Sequence, residues 1–206
     1  ASGLKEVVYN DFYIGHDADV VIVAGCGIHN CGVQDSEHDG IHRFFVGKNA
    51  RVKYVEKPYG EGDGRARRIL NPGTEVYMEE GSYMEMEMVQ IKGVDSTKRT
   101  NLAKLEGGAK LIVRERLLTH GTQEAESDYV VELNGEDASA DVVSRSVAKD
   151  HSYQLFKSQI VGNAKCSGHT ECDAIIMDDA RIVAVPGLTA NNLDAALIHE
   201  AAIGNI

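Results

Sequence analysis

Tryptophan is absent from the 206 residues, proline occurs only 3 times and cysteine only 4 times. Four cysteines in a chain of this length are too few for the disulfide framework of a small secreted domain. We therefore expect free thiols in a reducing cytoplasm, where they are available for metal or sulfur chemistry. Glycine is frequent, with 21 residues, and many turns with few proline breaks predict a strand-rich chain.

Long apolar runs are also missing. The longest strongly apolar run, Val20 to Ala24, is far shorter than the ~18–20 residues that cross a bilayer. The amino end lacks the basic-then-apolar order of a secretory signal. We therefore expect no membrane association, and a cytoplasmic location.

Basic residues are outnumbered, with 21 Lys and Arg against 32 Asp and Glu and a net charge of −11. Nucleic-acid binding depends on Lys and Arg side chains that neutralise phosphates. The only basic cluster is Arg65, Arg67 and Arg68. The sequence therefore predicts no nucleic-acid partner.

Apolar residues recur at every second position along much of the chain, which is typical of strands. The clearest example is the stretch 82–91. Its methionines, Met84, Met86 and Met88, alternate with glutamates. This pattern predicts a sheet with one buried and one solvated face, in which the methionines fill the core.

A short unit recurs, made of a small or turn residue, then Ala, Ser or Thr, then any residue, then an aliphatic residue. Copies begin at Asn49, Gly73, Gly81, Gly108 and Asp179, with a looser copy at Asp194. Each copy predicts a chain turn followed by a short apolar strand, as a stacked coil requires. The uneven spacing favours an all-β fold, a right-handed parallel β-helix with turns of unequal length. A β-sandwich with similar turns is the alternative.

Helix is predicted only in short pieces, around Thr189 to Ala196. No linker rich in glycine or proline divides the chain. Residues 1–206 are therefore predicted to form one β-helix domain.

Two cysteines and two histidines lie close together near the amino end: Cys26, Cys31, His38 and His42. Thiolate and imidazole are the ligands that zinc and iron accept, so a structural metal at Cys26, Cys31 and His38 or His42 is one interpretation. The spacing does not match a zinc ribbon or knuckle. The other interpretation is that Cys26 is a small apolar residue at the end of a buried strand.

A second group lies near the carboxyl end and contains Cys166, His169, Cys172, His199 and Glu200. Nucleophilic catalysis also needs an orienting group and an oxyanion hole, which the sequence does not indicate. Metal or sulfur chemistry fits better, because a thiolate can carry sulfur as a persulfide or bind iron. His199 and Glu200 are adjacent, so on a regular strand they point to opposite faces. Both reach Cys172 only where the strand ends or where a partner chain supplies one of them.

The last sixty or so residues contain longer motifs: Ser144–Val147, Gly168–Asp173, Ala184–Pro186 and His199–Gly204. With these motifs, the chain resembles the SufB/SufD family of iron–sulfur cluster assembly scaffolds. The resemblance implies a right-handed parallel β-helix, a scaffold rather than an enzyme, and pairing with a second SufB/SufD-type subunit. It also implies a SufC-type ABC ATPase and a sulfur donor protein as partners, and a transient iron–sulfur cluster as the bound group.

The resemblance also implies individual roles. Cys172 falls where SufB-type members have the cysteine implicated in nascent cluster assembly, and His199 and Glu200 fall on their His-Glu-Ala motif. SufD-type members usually have His-Gly-Ala, so Glu200 favours a SufB-like assignment. Without the motif, Cys172 is equally well explained as a buried cysteine of a β-helix turn.

The sequence departs from the family pattern in two ways. The family continues into helices that dock the ATPase, whereas this sequence ends at Ile206, so we expect those helices to be absent from residues 1–206. The segment from Cys26 to His42 has no family role. Two other functions stay open: a carbohydrate-active β-helix enzyme, for which few aromatic residues are available, and a structural solenoid without a ligand.

Overall fold

The computed structural model of the protein describes residues 3–63, 65–91 and 93–206. These residues form strands and turns, and none of them lies in a helix, so no described segment offers a membrane-spanning helix. In chain order the strands are β1 (Lys5–Ile14), β2 (Asp19–Ala24), β3 (Gly27–His29), β4 (Ser36–Val46), β5 (Arg51–Glu56), β6 (Tyr59–Glu61), β7 (Arg68–Leu70), β8 (Gly73–Met78), β9 (Tyr83–Gln90), β10 (Ser96–Leu105), β11 (Lys110–Thr119), β12 (Glu124–Leu133), β13 (Ser139–Ala148), β14 (Tyr153–Gly162), β15 (Ser167–Ile176), β16 (Arg181–Ala190) and β17 (Ala196–Asn205).

The strands form two parallel sheets that share one core. The first sheet has the order β1-β4-β8-β10-β12-β14-β16, and the short β7 lies end to end with β8 between β4 and β10. The second has the order β2-β5-β9-β11-β13-β15-β17. Because the chain passes from one sheet to the other and back, the described residues form a parallel β-solenoid of about 7 turns. The predicted β-helix is confirmed, and the sandwich alternative is wrong because sandwiches are antiparallel.

Turn length varies along the solenoid. Lys5 pairs with Glu37, 32 residues later, whereas Ser96 pairs with Glu124, 28 residues later. The longer turns at the amino end contain β3 and β6, which pair with each other outside the two main sheets. The segment after Cys26, which contains β3, therefore lies beside the first turns of the solenoid and outside its two main sheets.

One corner of the solenoid uses the same backbone conformation in successive turns. Asn49, Gly81, Gly108 and Asp137 precede β5, β9, β11 and β13, and their φ angles are 55°, 69°, 66° and 60°. Glycine, asparagine and aspartate adopt this left-handed conformation most readily. The copies of the sequence unit at Asn49, Gly81 and Gly108 therefore mark one corner. The copy at Gly73 instead begins β8, so the copies do not recur at a constant spacing along the sequence.

The alternation in β9 is confirmed. Met84, Met86 and Met88 point into the core with no more than 2% of their surface exposed. Glu87 lies on the opposite face and forms an ion pair of 3.4 Å with Arg116 of β11. The methionines thus fill the interior between the two sheets, as their spacing predicts.

The helix predicted around Thr189–Ala196 is wrong. Thr189 belongs to β16, and β17 begins at Ala196, so only a short corner separates the two strands. At this corner the side-chain amide of Asn191 donates to Asn163 at 2.8 Å, and that of Asn163 donates to Asn134 at 2.8 Å. Stacking on the preceding turns determines the local conformation here, and overrides the local helical preference of the sequence.

Candidate functional site

The Cys172 thiol lies inside the solenoid. It points between the two sheets from β15, and 1% of its surface is exposed. In register it lies between Ser144 of β13 and Ala201 of β17. Among the described residues β17 is the last strand of its sheet. Cys172 is therefore buried, but only one strand covers it on that side.

The surroundings of Cys172 are polar on one side. The buried carboxylate of Glu115 accepts hydrogen bonds from Ser127 at 2.6 Å, Tyr129 at 3.1 Å and Ser144 at 2.7 Å. Burial raises the pKa of the Cys172 thiol to about 11, and the charge of Glu115 acts in the same direction. The thiol is therefore protonated at neutral pH, and a nearby cation is needed to stabilise its thiolate.

His199 faces the same interior from β17. In the register of β15 and β17, His199 lies beside Thr170, and Ala201, two positions later on β17, lies beside Cys172. Its Nδ1 atom is buried and has no hydrogen-bond partner within the part of the chain that the structure describes. Burial, and then the nearby His169, lower the pKa of His199, while the Thr170 backbone acts in the opposite direction. His199 is thus a neutral imidazole at neutral pH, the form that binds metals.

Glu200 lies on the outer face of the same sheet, in a group that we call the outer cluster: His169, Glu171 and Glu200. Ligand atoms of these three residues all lie within 4.8 Å of one another. His169 Nδ1 bonds to Asp141 at 2.7 Å, and its Nε2 lies 3.5 Å from Glu200. The Asp141 hydrogen bond is the main cause of a raised pKa of His169. One imidazole, oriented by a carboxylate, and two acids form a donor set suited to a divalent cation.

The structure therefore divides the three residues predicted from the sequence. Cys172 and His199 face the interior, whereas Glu200 faces outward, because adjacent residues alternate along a strand. The sequence placed His169 in the carboxyl-terminal group but did not indicate that His169 and Glu171 lie beside Glu200. The signal was available, since these two residues lie two positions apart on one strand and therefore share a face.

The amino-terminal candidates are also divided. Cys26 Sγ lies 3.9 Å from His42 Nε2, and His38 lies on the same face of β4 as His42. Cys31 is exposed and lies apart from that pair, with its sulfur 3.0 Å from His29 Nε2. The structure therefore groups three of the four predicted residues and leaves Cys31 outside.

Buried charges link the amino-terminal group to the middle of the solenoid. His42 Nδ1 lies 2.7 Å from the Tyr54 hydroxyl, which donates to Glu56 at 3.1 Å. Arg99 bonds to Glu56 at 3.1 Å and lies 3.9 Å from Glu115. No short sequence motif indicates this network, because its members come from separate turns.

Comparison with known proteins identifies the family. The family model described as "SUF system FeS cluster assembly, SufBD core domain" matches residues 10–206. An iron–sulfur cluster assembly SufBD family protein of Archaeoglobus fulgidus is 28% identical over 204 residues, which cover 98% of this chain and 53% of that protein. One of Methanocaldococcus jannaschii is 26% identical over 207 residues, covering 98% of this chain and 64% of the relative.

A shorter match is closer in sequence. A SufBD family protein of Pyrococcus horikoshii is 42% identical over 76 residues, covering 36% of this chain and 17% of that protein. The chain thus spans about half to two thirds of the length of the first two relatives.

Proposed function

This chain belongs to the SufBD family of iron–sulfur cluster assembly proteins, and on that premise we propose that it is a scaffold on which a nascent cluster is assembled. In this proposal the cluster is cargo, and the protein supplies ligands rather than catalysis. The His-Glu-Ala motif beginning at His199 favours a SufB-like role. The cytoplasm, with its reducing conditions, is the proposed location.

The observation that supports this function most strongly is the unpartnered nitrogen of His199. A buried polar atom without a hydrogen bond is energetically costly, so its persistence suggests a ligand. His199 shares the interior face with Cys172, and a soft thiolate with a neutral imidazole is a donor pair suited to iron. We assign Cys172 and His199 to the cluster on this basis.

Glu200 has a separate part in the proposal. From the outer face it is unable to reach Cys172 on its own subunit, because the sheet lies between them. With His169 and Glu171 it forms the outer cluster, whose oxygen and nitrogen donors suit ferrous iron. We propose that the outer cluster holds iron near the end of the solenoid.

Access to Cys172 requires a change at that end. Since β17 covers Cys172 and pairs only with β15 among the described residues, displacement of one strand exposes the thiol. The last strand of a sheet has unpaired backbone groups that a second chain can pair with. A second SufB/SufD-type subunit placed here is able to complete the site with ligands of its own.

The remaining partners follow from the family. We propose a SufC-type ABC ATPase, which drives movement of the paired scaffolds, and a sulfur donor protein. Exposed apolar side chains on the last turns support coverage by another protein: Ile175, Val185, Leu188, Ile198 and Ile203.

Anaerobic reconstitution with ferrous iron and sulfide tests the proposal. We expect visible absorption typical of an iron–sulfur cluster in the wild-type chain with its paired subunit, and loss of that absorption in Cys172→Ala. Cys166→Ala is the matched control, since Cys166 is also a buried, unpaired cysteine. Equal absorption in wild type and Cys172→Ala, with both proteins folded by circular dichroism, would overturn the assignment.

A further inference from the structure

Three potential metal ligands surround one glycine in the second turn of the solenoid. His38, Gly40 and His42 occupy alternate positions of β4 and therefore share its inner face. Cys26 lies between β2 and β3, against the same face, with its sulfur 3.9 Å from His42 Nε2. Cys26 and His42 are buried, and the side chain of His38 is 17% exposed.

The space above Gly40 is bounded by donor atoms. A Cβ atom added to Gly40 would have as its three nearest neighbours His38 Nε2 at 3.4 Å, Cys26 Sγ at 3.7 Å and His42 Nε2 at 3.7 Å. One sulfur and two ring nitrogens thus face one gap, which stays open because Gly40 has no side chain.

Both imidazoles are already oriented toward this gap. His38 Nδ1 lies 3.0 Å from a carboxylate oxygen of Glu6, and His42 Nδ1 lies 2.7 Å from the hydroxyl of Tyr54. Metal-binding histidines are typically held in this way, with one nitrogen bonded to an oxygen atom and the other free for the metal. The two Nε2 atoms are therefore the ones available for an ion.

We propose that Cys26, His38 and His42 form a site for a divalent ion of the zinc class. One thiolate and two imidazoles are a donor set that zinc accepts, and a water molecule is able to complete the tetrahedron. Zinc–nitrogen and zinc–sulfur bonds are ~2.0–2.3 Å long, whereas the three donor atoms do not all lie within 4.8 Å of one another, so the side chains must move closer together when the ion binds. On binding, the Cys26 thiol loses its proton to water as the sulfur–metal bond forms.

This site does not depend on the function proposed for Cys172. It ties the segment after β2 to β4, near the opposite end of the solenoid from His199. Cys31 takes no part, because it is exposed and its sulfur lies beside His29.

The first test measures metal binding by the full chain, purified without oxygen and stripped of metal. We expect one equivalent of zinc in competition with a chromogenic chelator, and a thiolate-to-metal charge-transfer band when cobalt replaces zinc. Cys26→Ser should remove the band and weaken zinc binding by more than the ~10–100-fold typical of changes outside the ligand shell. Cys31→Ser is the matched control and should bind as wild type does.

The second test keeps every donor and fills the gap. Gly40→Ala places a methyl group at 3.4–3.7 Å from the three donor atoms, which is tolerable for folding but occupies the space of the ion. We expect the thermal midpoint of Gly40→Ala to match that of metal-free wild type, and to show no rise when zinc is added. The proposal is overturned if wild type binds no zinc, if Gly40→Ala or Cys26→Ser binds as wild type does, or if Cys31→Ser loses binding equally.

Discussion

Arg99 and Glu56 form an ion pair inside the solenoid, joining β10 of one sheet to the end of β5 in the other. Two guanidinium nitrogens lie 3.1 Å from the two carboxylate oxygens, and the side chains are 4% and 1% exposed. Burial alone would raise the pKa of Glu56, but the charge and hydrogen bonds of Arg99 hold it below its usual value. The pair therefore keeps both groups charged in the core.

Removing one member of this pair should destabilise the protein strongly. Arg99→Leu leaves the buried carboxylate of Glu56 without its cation, which typically costs about 3–5 kcal/mol in the free energy of unfolding. Urea denaturation followed by circular dichroism measures this loss.

Two further variants make the measurement specific. Glu56→Leu combined with Arg99→Leu should recover part of the loss, because the carboxylate of Glu56 is then gone, while the buried Glu115 carboxylate still lacks the guanidinium that lies 3.9 Å from it in the wild type. Arg145→Leu, which removes the ion pairs of the exposed Arg145 with Glu171 and Asp173 on the outer face, should cost no more than about 1 kcal/mol. A cost for Arg99→Leu no larger than that for Arg145→Leu would contradict the prediction.

The outer cluster gives a prediction about iron binding. Asp141→Asn should weaken ferrous iron binding by about 10–100-fold, because the carboxylate that orients His169 is lost. His169→Ala removes one of the proposed ligands and should weaken binding further. Anaerobic calorimetry measures both affinities.

His151 provides the control for this prediction. It is an exposed histidine that lies 3.6 Å from Asp179, at the corner beyond the ends of β13 and β15, whereas His169 lies near the start of β15. His151→Ala should leave iron affinity unchanged. The outer cluster is not the iron site if His151→Ala and His169→Ala have equal effects.

Stability should depend on pH through Asp95. Partial burial acts to raise the pKa of this carboxyl, but hydrogen bonds from the side chain and backbone of Arg68 outweigh it and lower the pKa. Because the folded-state pKa is lowered, the stabilisation is present above the unfolded-state value near 4 and is lost as the pH falls through the folded-state value.

Asp95→Asn isolates this contribution. At neutral pH the variant should be less stable by about 1 kcal/mol, and the difference should shrink toward zero as the solution is acidified below pH 4. Urea denaturation at a series of pH values measures it. A difference that stays constant over that range would show that the Asp95 charge is not the cause.

The repeated corner predicts a large effect at Gly108 and a small one at its neighbour. Gly108→Ala should cost about 1–2 kcal/mol, because alanine is disfavoured at a φ of 66°. Gly108→Asn should cost less, since asparagine occupies the same corner position at residue 49. Gly107→Ala is the control, because Gly107 has no positive φ. Thermal unfolding ranks the three variants, and equal losses would rule out backbone strain.

Much of the fold could be predicted from local pattern. The alternation around Met86 identifies a strand and the face it buries, and the turn units at Gly81 and Gly108 mark a stacked corner. The same alternation predicts that His199 and Glu200 point to opposite faces, as the structure has them. Each of these features is determined by neighbouring residues, so a short stretch of sequence is enough to predict it.

Other features depend on contacts between turns, which no short stretch of sequence reveals. The bond between Arg99 and Glu56 joins residues 43 positions apart. The corner at Asn191 is determined by stacking on Asn163 rather than by its own helical preference. His169 gains its partner Asp141 from the preceding turn, 28 positions earlier. Pairing register therefore had to be known before these contacts could be located.

Because the same corner conformation recurs from turn to turn, successive turns stack at a constant spacing along the solenoid axis. Four strand spacings, roughly 19 Å along the axis, lie between the level of β4 and that of β15. Inserting or deleting one whole repeat of the coil changes that length by a fixed increment of about 4.8 Å without disturbing the chemistry at either end. The distance between the two proposed ion sites can thereby change only in discrete steps.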